Sequence, residues 1–301
     1  MLGKFAKRLP RIPWRRLAAG AGSRAAALAR RAVKPLLFAG PFALVVVLVH
    51  REVYSFLVHR PGFRVPSFRL AVSPPWGEPC GVQTVPVETV GGSLFDPDLV
   101  ERVGRAFESC PWVRRVVSVE RVFPGSVRVR LEYRRPRLAF RGPSGFVLVD
   151  PEGVRLPGVY AEPPPYDRPL KATGAFTPPP DPGRTWEDPA VRAGLEMAEL
   201  VRREALLSRL GVEEIDLTNL GGRQDLRRSE VVLVLANGCL VHWGRVPSRS
   251  RFGDPTPAEK IESLRDVLAV YPGLNGLRAV RIGFRGSRSV EPAGAWARKP
   301  R

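Results

Sequence analysis

The feature that most constrains this chain is a single long uncharged run, Pro35–Val49, together with the charge that precedes it. The 34 residues before the run carry ten basic side chains and no acidic one. Positive charge next to a membrane span stays on the cytoplasmic side. We therefore expect a basic cytoplasmic segment over residues 1–34, a transmembrane helix with its interface over residues 35–58, and later residues outside the cytoplasm.

The uncharged run is short for a membrane span. Leu36–Val49 has 14 residues, which is about 21 Å of helix against a hydrocarbon core of about 30 Å. The helix must therefore recruit neighbouring residues at both ends. Two alternatives stay open: a cleaved signal peptide, although no small-residue cleavage site follows the run, and a buried apolar helix of a soluble protein.

Residues on both sides of the run are expected to hold the protein in the membrane. Basic side chains bind anionic lipid headgroups, and aromatic rings favour the membrane–water interface. The predicted membrane-anchoring residues are Trp14, Arg30, Arg31, Lys34 and Tyr54.

The overall charge could also indicate nucleic-acid binding. The formal net charge is +19 and the sequence pI is 11.1. The N-terminal segment alone supplies ten of the basic residues, and no RNA- or DNA-binding motif accompanies the charge. Nucleic acid is thus disfavoured as a partner, and a basic nucleic-acid-binding protein is only a second alternative.

No catalytic or metal-binding residue is predicted, and no cofactor. The chain has no G-x-S-x-G, H-E-x-x-H or phosphate-binding loop. Cys80, Cys110 and Cys239 are too dispersed for a zinc site, which uses close Cys/His pairs. Cys80 and Cys110 could form a disulfide, or both could be small buried side chains.

The sequence predicts an α+β fold outside the membrane, and its first domain spans residues 62–136. A strand at Phe68–Val72 is followed by a helix with Asp96 as N-cap and Pro97 in its first turn. Strands at Val116–Val122 and Ser126–Tyr133 follow, and the second alternates apolar and polar residues. This is a β-α-β-β unit.

The second domain, residues 137–285, is predicted to be a strand-rich mixed β domain with two helices. Residues 157–186 are rich in proline and predicted as a loop. One helix starts after Asp188 and the other at a capping box, Thr256 to Glu259. Asn237-Gly238 predicts a type I′ hairpin. After a last strand, residues 286–301 are expected to be a disordered basic tail.

Short segments along the chain match an ordered set of motifs. They are Cys110-Pro111-Trp112-Val113, Arg121-Val122-Phe123-Pro124, Phe146–Gly153, Pro169-Leu170 with Gly174, and Asn237–Gly244 with Glu259-Lys260-Ile261. They resemble, respectively, the N-P-W-V, R-x-W-P, LVD-x-x-G, L-P-x-x-x-G and DG-x-x-V-x-x-G…EK motifs of the FtsQ/DivIB cell-division proteins. The resemblance covers about residues 35–285. It implies a POTRA domain, with motif residues Pro111, Trp112, Val113, Phe123 and Pro124, followed by a β domain.

The chain departs from the family pattern in three places. Glu132–Pro136 has one residue more than the family's E-R-x-P, the loop over residues 73–94 is long, and the C-terminal tail is basic.

The resemblance implies a non-enzymatic single-pass scaffold in the cytoplasmic membrane, with a possible place at the division septum. Its partners would be other single-span division proteins, of the FtsB/FtsL type. The first alternative is a POTRA-containing envelope protein in secretion or membrane-protein assembly.

The last predicted strand, Leu277–Phe284, is the expected partner-binding element. A chain-terminal strand is often a sheet edge that accepts a strand from another protein, and the resemblance implies docking at this edge. The alternative is an internal strand, or one covered by Ala293–Trp296. Arg281 is expected to face the partner. The predicted partner-binding residues are Leu277, Arg278, Ala279, Val280, Arg281, Ile282 and Phe284.

Overall fold

The computed structural model describes residues 39–64, 67–70, 92–283 and 288–293. The first element is helix α1, Ala39–His59, whose most apolar window has a mean hydropathy of 1.6 and is not buried. Its 21 residues correspond to about 31 Å, close to the thickness of a hydrocarbon core. By length and composition α1 is a candidate membrane span. Trp14, Arg30, Arg31 and Lys34 lie outside the described residues.

The first folded unit contains a three-stranded sheet and one helix. The elements are β1 Ser67–Leu70, α2 Leu99–Glu108, β2 Val113–Val122 and β3 Ser126–Tyr133. The strand order is β1-β3-β2, with β1 parallel and β2 antiparallel to β3. Alternation along β3 places Val127, Val129 and Leu131 in the core with the apolar face of α2. The predicted order of strand, helix, strand, strand is therefore confirmed.

Helix α2 begins later than the sequence predicted. Its N-cap is Asp98 and not Asp96. The Asp96 carboxylate instead accepts a hydrogen bond from the Asp98 backbone N–H at 3.1 Å and pairs with Arg102 at 2.6 Å. Asp96 thus forms a turn before the helix, a use of aspartate that competes with helix capping.

The second folded unit is built on one eight-stranded mixed sheet. Its strands lie in the order β11-β10-β9-β8-β7-β6-β4-β5. Neighbours β4/β6, β6/β7 and β9/β10 are parallel, and the other pairs are antiparallel. The strands are β4 Leu138–Gly142, β5 Gly145–Val149, β6 Leu170–Thr173, β7 Val212–Asp216, β8 Val231–Leu235, β9 Leu240–Gly244, β10 Leu277–Ile282 and β11 Arg288–Pro292.

Three helices accompany this sheet, where two were predicted: α3 Pro189–Arg203, α4 Ala205–Arg209 and α5 Pro257–Val270. Both predicted helix starts are confirmed. Asp188 caps α3 by accepting from the Ala190 N–H, and Thr256 and Glu259 form the capping box of α5. The additional helix arises because Glu204 adopts an extended conformation and separates α3 from α4. Buried side chains of all three helices share one core with the sheet.

The proline-rich segment was predicted to be a loop. It is not entirely a loop, because it contains β6. Leu170–Thr173 lies between β4 and β7 and pairs in parallel with both. Its partners are 32 and 43 residues away at Leu138 and Asp216. Such pairing depends on the tertiary fold, so a four-residue strand beside proline carries little local signal.

The hairpin between β8 and β9 forms, but its turn differs from the predicted type I′ turn. Gly238 N–H donates to the Leu235 carbonyl, so Ala236 and Asn237 occupy the central positions. Only Gly238 of this loop has a positive φ, +79°. This is a three-residue loop with glycine in the left-handed region. The Asn237 amide donates instead to the Gly273 carbonyl of a neighbouring loop at 2.9 Å.

The C-terminal end differs most from expectation. Strand β10 ends at Ile282, and it lies between β9 and β11. The expectation that Leu277–Phe284 forms the edge is therefore wrong for its described residues. Strand β11 arises from Arg288–Pro292, within the predicted disordered tail. It forms because the chain turns back antiparallel to β10, and its backbone pairs with N–H and C=O groups that β10 would otherwise expose.

Candidate interaction edge

The open edge of the eight-stranded sheet is β11. This strand pairs with β10 from Arg288 opposite Ile282 to Pro292 opposite Leu277. Among the described residues, no strand pairs with its other side. One row of backbone N–H and C=O groups is therefore available for pairing with another chain.

The opposite edge, β5, is covered by the chain's own residues 154–160. Phe146 and Tyr160 exchange two backbone hydrogen bonds, of 2.7 and 2.9 Å. The Leu156 N–H donates to the Leu148 carbonyl at 2.9 Å, and Val149 bridges to Arg155. The pairing groups of β5 are thus largely satisfied within the molecule.

Most of the predicted partner-binding residues are buried. Ala279 and Val280 are both buried although they are adjacent, because β10 lies inside the sheet and is covered on both faces at this point. Arg278 and Arg281 are exposed, and Phe284 lies outside the described residues. The buried set is Leu277, Ala279, Val280 and Ile282.

Ion pairs hold the edge strand to the rest of the unit. Arg281 on β10 pairs with Glu291 on β11, with 2.9 Å between Nη2 and Oε1. Arg288, at the other end of β11, pairs with Asp266 of α5. Val290 between them packs against the core. The edge therefore has an apolar inner anchor and charged side chains exposed to solvent.

A buried lysine lies beneath the strands next to this edge. Lys260 of α5 is 3% exposed. Its Nζ donates to the Arg245 carbonyl at 3.0 Å and lies 5.1 Å from the centre of the Trp243 ring on β9. Burial lowers the pKa of Lys260 to about 8, although the Asp254 carboxylate opposes this shift. The sequence marked Lys260 only as part of a motif.

Carboxylates complete the surroundings of this lysine. Arg245 pairs with Glu230 at 2.7 Å and with Asp254 at 2.9 Å. These groups line a cavity of about 220 Å³ together with Trp243 and Lys260. The buried indole N–H of Trp243 has no hydrogen-bond partner among the described protein atoms.

His242 lies on β9, directly opposite Arg281 of β10. Burial and then the Arg281 guanidinium lower the pKa of His242. The neutral imidazole is thus favoured on the face of the sheet that carries the Arg281–Glu291 pair.

The five residues that resemble the POTRA motif lie at two opposite ends of the first unit. Pro111, Trp112 and Val113 follow α2 and lie at the end facing the second unit. Phe123 and Pro124 form the exposed turn between β2 and β3, where Phe123 is 68% exposed. The structure therefore does not bring these five residues together into one site.

The far end of the first unit joins the second through a shared core. Trp112 is 1% exposed and belongs to one buried cluster with β4 and β5 side chains, namely Ala139, Phe146 and Leu148. Because the cluster is continuous, Trp112 acts as a packing residue between the two units.

Ion pairs surround this junction. Arg134 bridges Asp150 at 2.5 Å and Glu152 at 2.8 Å. Arg114 pairs with Glu152 at 2.5 Å and with Glu132 at 2.7 Å. The Arg134 and Arg114 guanidinium groups lower the pKa of Glu152. The side chains come from both units, so the network stabilises their relative placement.

Other candidate chemistry is sparse in the described residues. Within these ranges there is no group of three or more His, Cys, Asp or Glu side chains that could hold a metal ion. Cys110 and Cys239 are free thiols, and burial raises the pKa of each. Cys80 lies outside the described residues, and the free thiol of Cys110 does not support the Cys80–Cys110 disulfide.

Tyr54, the predicted membrane-anchoring tyrosine, lies on α1 close to the first unit. Its hydroxyl is 3.5 Å from the Phe95 carbonyl oxygen.

Comparison of the chain with models of known protein families and with curated proteins finds no match.

Proposed function

We propose that this protein is a non-enzymatic, single-pass membrane scaffold of the FtsQ/DivIB kind. Its basic N-terminus faces the cytoplasm, and its two folded units recruit other single-span division proteins outside the cytoplasm. The observation that carries the proposal is the open edge strand β11, in a sheet whose other edge is covered. An extended segment of a partner pairs with this edge by β-augmentation.

Two further features support the proposal. Helix α1 is long and apolar enough to cross a membrane, and ten basic residues precede the apolar run. The first unit has the strand, helix, strand, strand order of the proposed POTRA domain, with β1 parallel to β3. The last described strand of the chain is also the open edge, as docking at a C-terminal strand requires.

Localisation tests the division role. A fluorescent fusion of the full chain, expressed in the cells that make it, is expected to concentrate at midcell before constriction. A uniform envelope signal would contradict the division role and favour a POTRA-type protein in secretion or membrane-protein assembly. A nucleoid signal would contradict the membrane scaffold altogether.

Site-specific photo-crosslinking tests the docking edge. A benzophenone amino acid at Ser289 or Glu291 on β11 is expected to capture another membrane protein in living cells. The matched control is Val159, which is 49% exposed and belongs to the segment that covers β5. Equal crosslinking from both edges, or from Val159 alone, would refute docking at β11.

A further inference from the structure

The path of the chain places the end of α1 and one end of the first unit together. Helix α1 ends at His59, and a short 3-10 turn, Pro61–Phe63, follows. Strand β1 then begins at Ser67, paired with Ser126, the first residue of β3. The turn between β2 and β3 therefore lies at the same end of the first unit as α1.

Aromatic contacts connect this turn to the helix end. The ring of Phe63 lies 5.4 Å from that of Phe123 in the turn and 5.1 Å from that of Phe95. The backbone carbonyl of Phe95 is the group next to the Tyr54 hydroxyl of α1. Three aromatic rings thus form one cluster between the span and the sheet, and Tyr54 of α1 contacts its backbone.

Phe123 is largely exposed at the apex of the turn, although its ring contacts Phe63. Its 68% exposure exceeds the 47% of Val117, an apolar residue in the middle of β2. Exposed apolar side chains of α1, including Val53 and Phe56, lie at the same end. Exposed aromatic rings beside a membrane span match the interfacial region of a bilayer, where such rings are enriched.

The charges at this end fit lipid headgroups. The Arg60 guanidinium stacks on the Phe56 ring at 4.2 Å, and Arg64 is exposed. Arg121, beside the turn, is exposed but already engaged, since it donates to the carbonyls of Asp96 and Pro97 at 2.7 and 3.1 Å. Two arginines are therefore placed to meet headgroup phosphates, whereas the third holds the turn in position.

We propose that the tip of the β2–β3 hairpin, with Phe123 at its apex, inserts into the headgroup region of the same bilayer that α1 crosses. The first unit then stands directly on the membrane surface. This inference rests on the single-pass topology of the proposed function, but it adds a second membrane contact formed by a folded unit. The ligand is the phospholipid interface, which the aromatic cluster and Arg60 with Arg64 recognise.

Spin-label accessibility in a defined bilayer tests the insertion. The full-length chain, with its three cysteines replaced by serine, is reconstituted in nanodiscs of phosphatidylcholine and phosphatidylglycerol. One nitroxide label is attached at Phe123→Cys, Val117→Cys or Val46→Cys. Collision with oxygen, which partitions into lipid, is compared with collision with a water-soluble nickel chelate. Circular dichroism checks that each labelled protein is folded.

The ratio of oxygen to nickel accessibility is expected to be several-fold higher at position 123 than at position 117, and highest at position 46. A ratio at 123 equal to that at 117, with position 46 in lipid, would overturn the inserted hairpin and leave the single-pass scaffold intact. A water-exposed label at position 46 would overturn both the span and the inference that rests on it.

Discussion

One edge of the eight-stranded sheet is covered by the protein itself, and the other edge is open. At β5, residues 154–160 supply backbone partners and buried side chains, so this edge is part of the interior. At β11, the described chain supplies partners on one side only. The comparison shows that the availability of an edge strand depends on which neighbouring segment covers it, and not on its own length, which is five residues in each case.

The two edges also differ in chemistry. Phe146 and Leu148 of β5 are buried against the first unit. Strand β11 has a proline at its end, an exposed Arg288 and a half-buried Glu291. Prolines and charges are the usual protection of a free edge against unspecific pairing. The open edge thus has features that permit a selected partner and disfavour aggregation.

The largest expected effect is from Gly145→Ala at the covered edge. Gly145 has a φ of +135°, and an added Cβ would lie 2.6 Å from the Tyr160 carbonyl oxygen. Because the Tyr160 carbonyl is a backbone group that cannot rotate away, the covering segment must move, and we expect a loss of about 3 kcal/mol or more. Equilibrium denaturation of the full chain in detergent measures the loss.

The matched control is Gly238→Ala in the hairpin loop. Its φ is +79°, but nothing lies within 4 Å of the added Cβ, so only the backbone preference is lost, about 1 kcal/mol. Equal losses for the two variants would show that close backbone approach at Gly145 does not hold the covering segment in place.

The second prediction concerns Lys260, which is buried beneath the half of the sheet near the open edge. Its folded-state pKa is about 8, against 10.5 without burial. Between these values the unfolded chain binds the additional proton, so stability from this group rises with pH across that window and is lowest below pH 8. The full change is about 3 kcal/mol.

Lys260→Met measures this contribution. The stability of the wild type minus that of the variant is expected to increase from pH 7.5 to pH 10.5, since only the wild type carries the buried charge. Subtracting the variant removes the titration of tyrosines and thiols. A difference that stays flat over this range would mean that Lys260 is not held in a desolvated state.

The third prediction concerns Gly238→Val, which tests the backbone conformation of the hairpin loop near the open edge. A β-branched residue resists positive φ more strongly than alanine does, so we expect a loss of about 1 to 2 kcal/mol. The same denaturation experiment gives the value. A loss no greater than that of Gly238→Ala would place Gly238 outside the left-handed region.

Arg281→Glu should have the smallest effect on stability. Its pair with Glu291 has side chains 53% and 38% exposed, and such pairs contribute less than about 1 kcal/mol. We expect partner binding to weaken more than stability does, because the new charge repels Glu291 at the docking edge. The exchanged pair, Arg281→Glu with Glu291→Arg, is expected to regain stability; no recovery would mean that the two charges do not interact.

Local features of the fold were predictable from the sequence. The alternation in Ser126–Tyr133 defines β3, and Asp188 and Thr256 mark the starts of α3 and α5. These signals act over a few residues through side-chain burial and capping. Asp96 shows the limit, because the same side chain can cap a helix or form a turn before one.

The open edge lies near the end of the chain where the sequence predicted it, but it is β11 and not the predicted strand. Leu277–Ile282 has the apolar pattern of a strand, and that pattern does not distinguish an edge from an internal position. Whether β10 is internal depends on Arg288–Pro292 returning beside it, and that segment has only Val290 to indicate burial. The parallel insertion of β6 was not predictable either, because its partners on β4 and β7 are 32 and 43 residues away in the sequence.

If the hairpin tip meets the bilayer as proposed, the length of β3 sets how far above the bilayer a partner must reach. From the hairpin tip to the junction at Arg134, the eight residues of Ser126–Tyr133 extend about 27 Å at 3.4 Å per residue. With the tip at the membrane surface, the strand acts as a spacer that carries the sheet away from the lipid. A single-span partner needs about 18 further helical residues above its own membrane segment to cover that height. On this proposal we expect the first unit to select partners by reach as well as by the sequence of their docking strand.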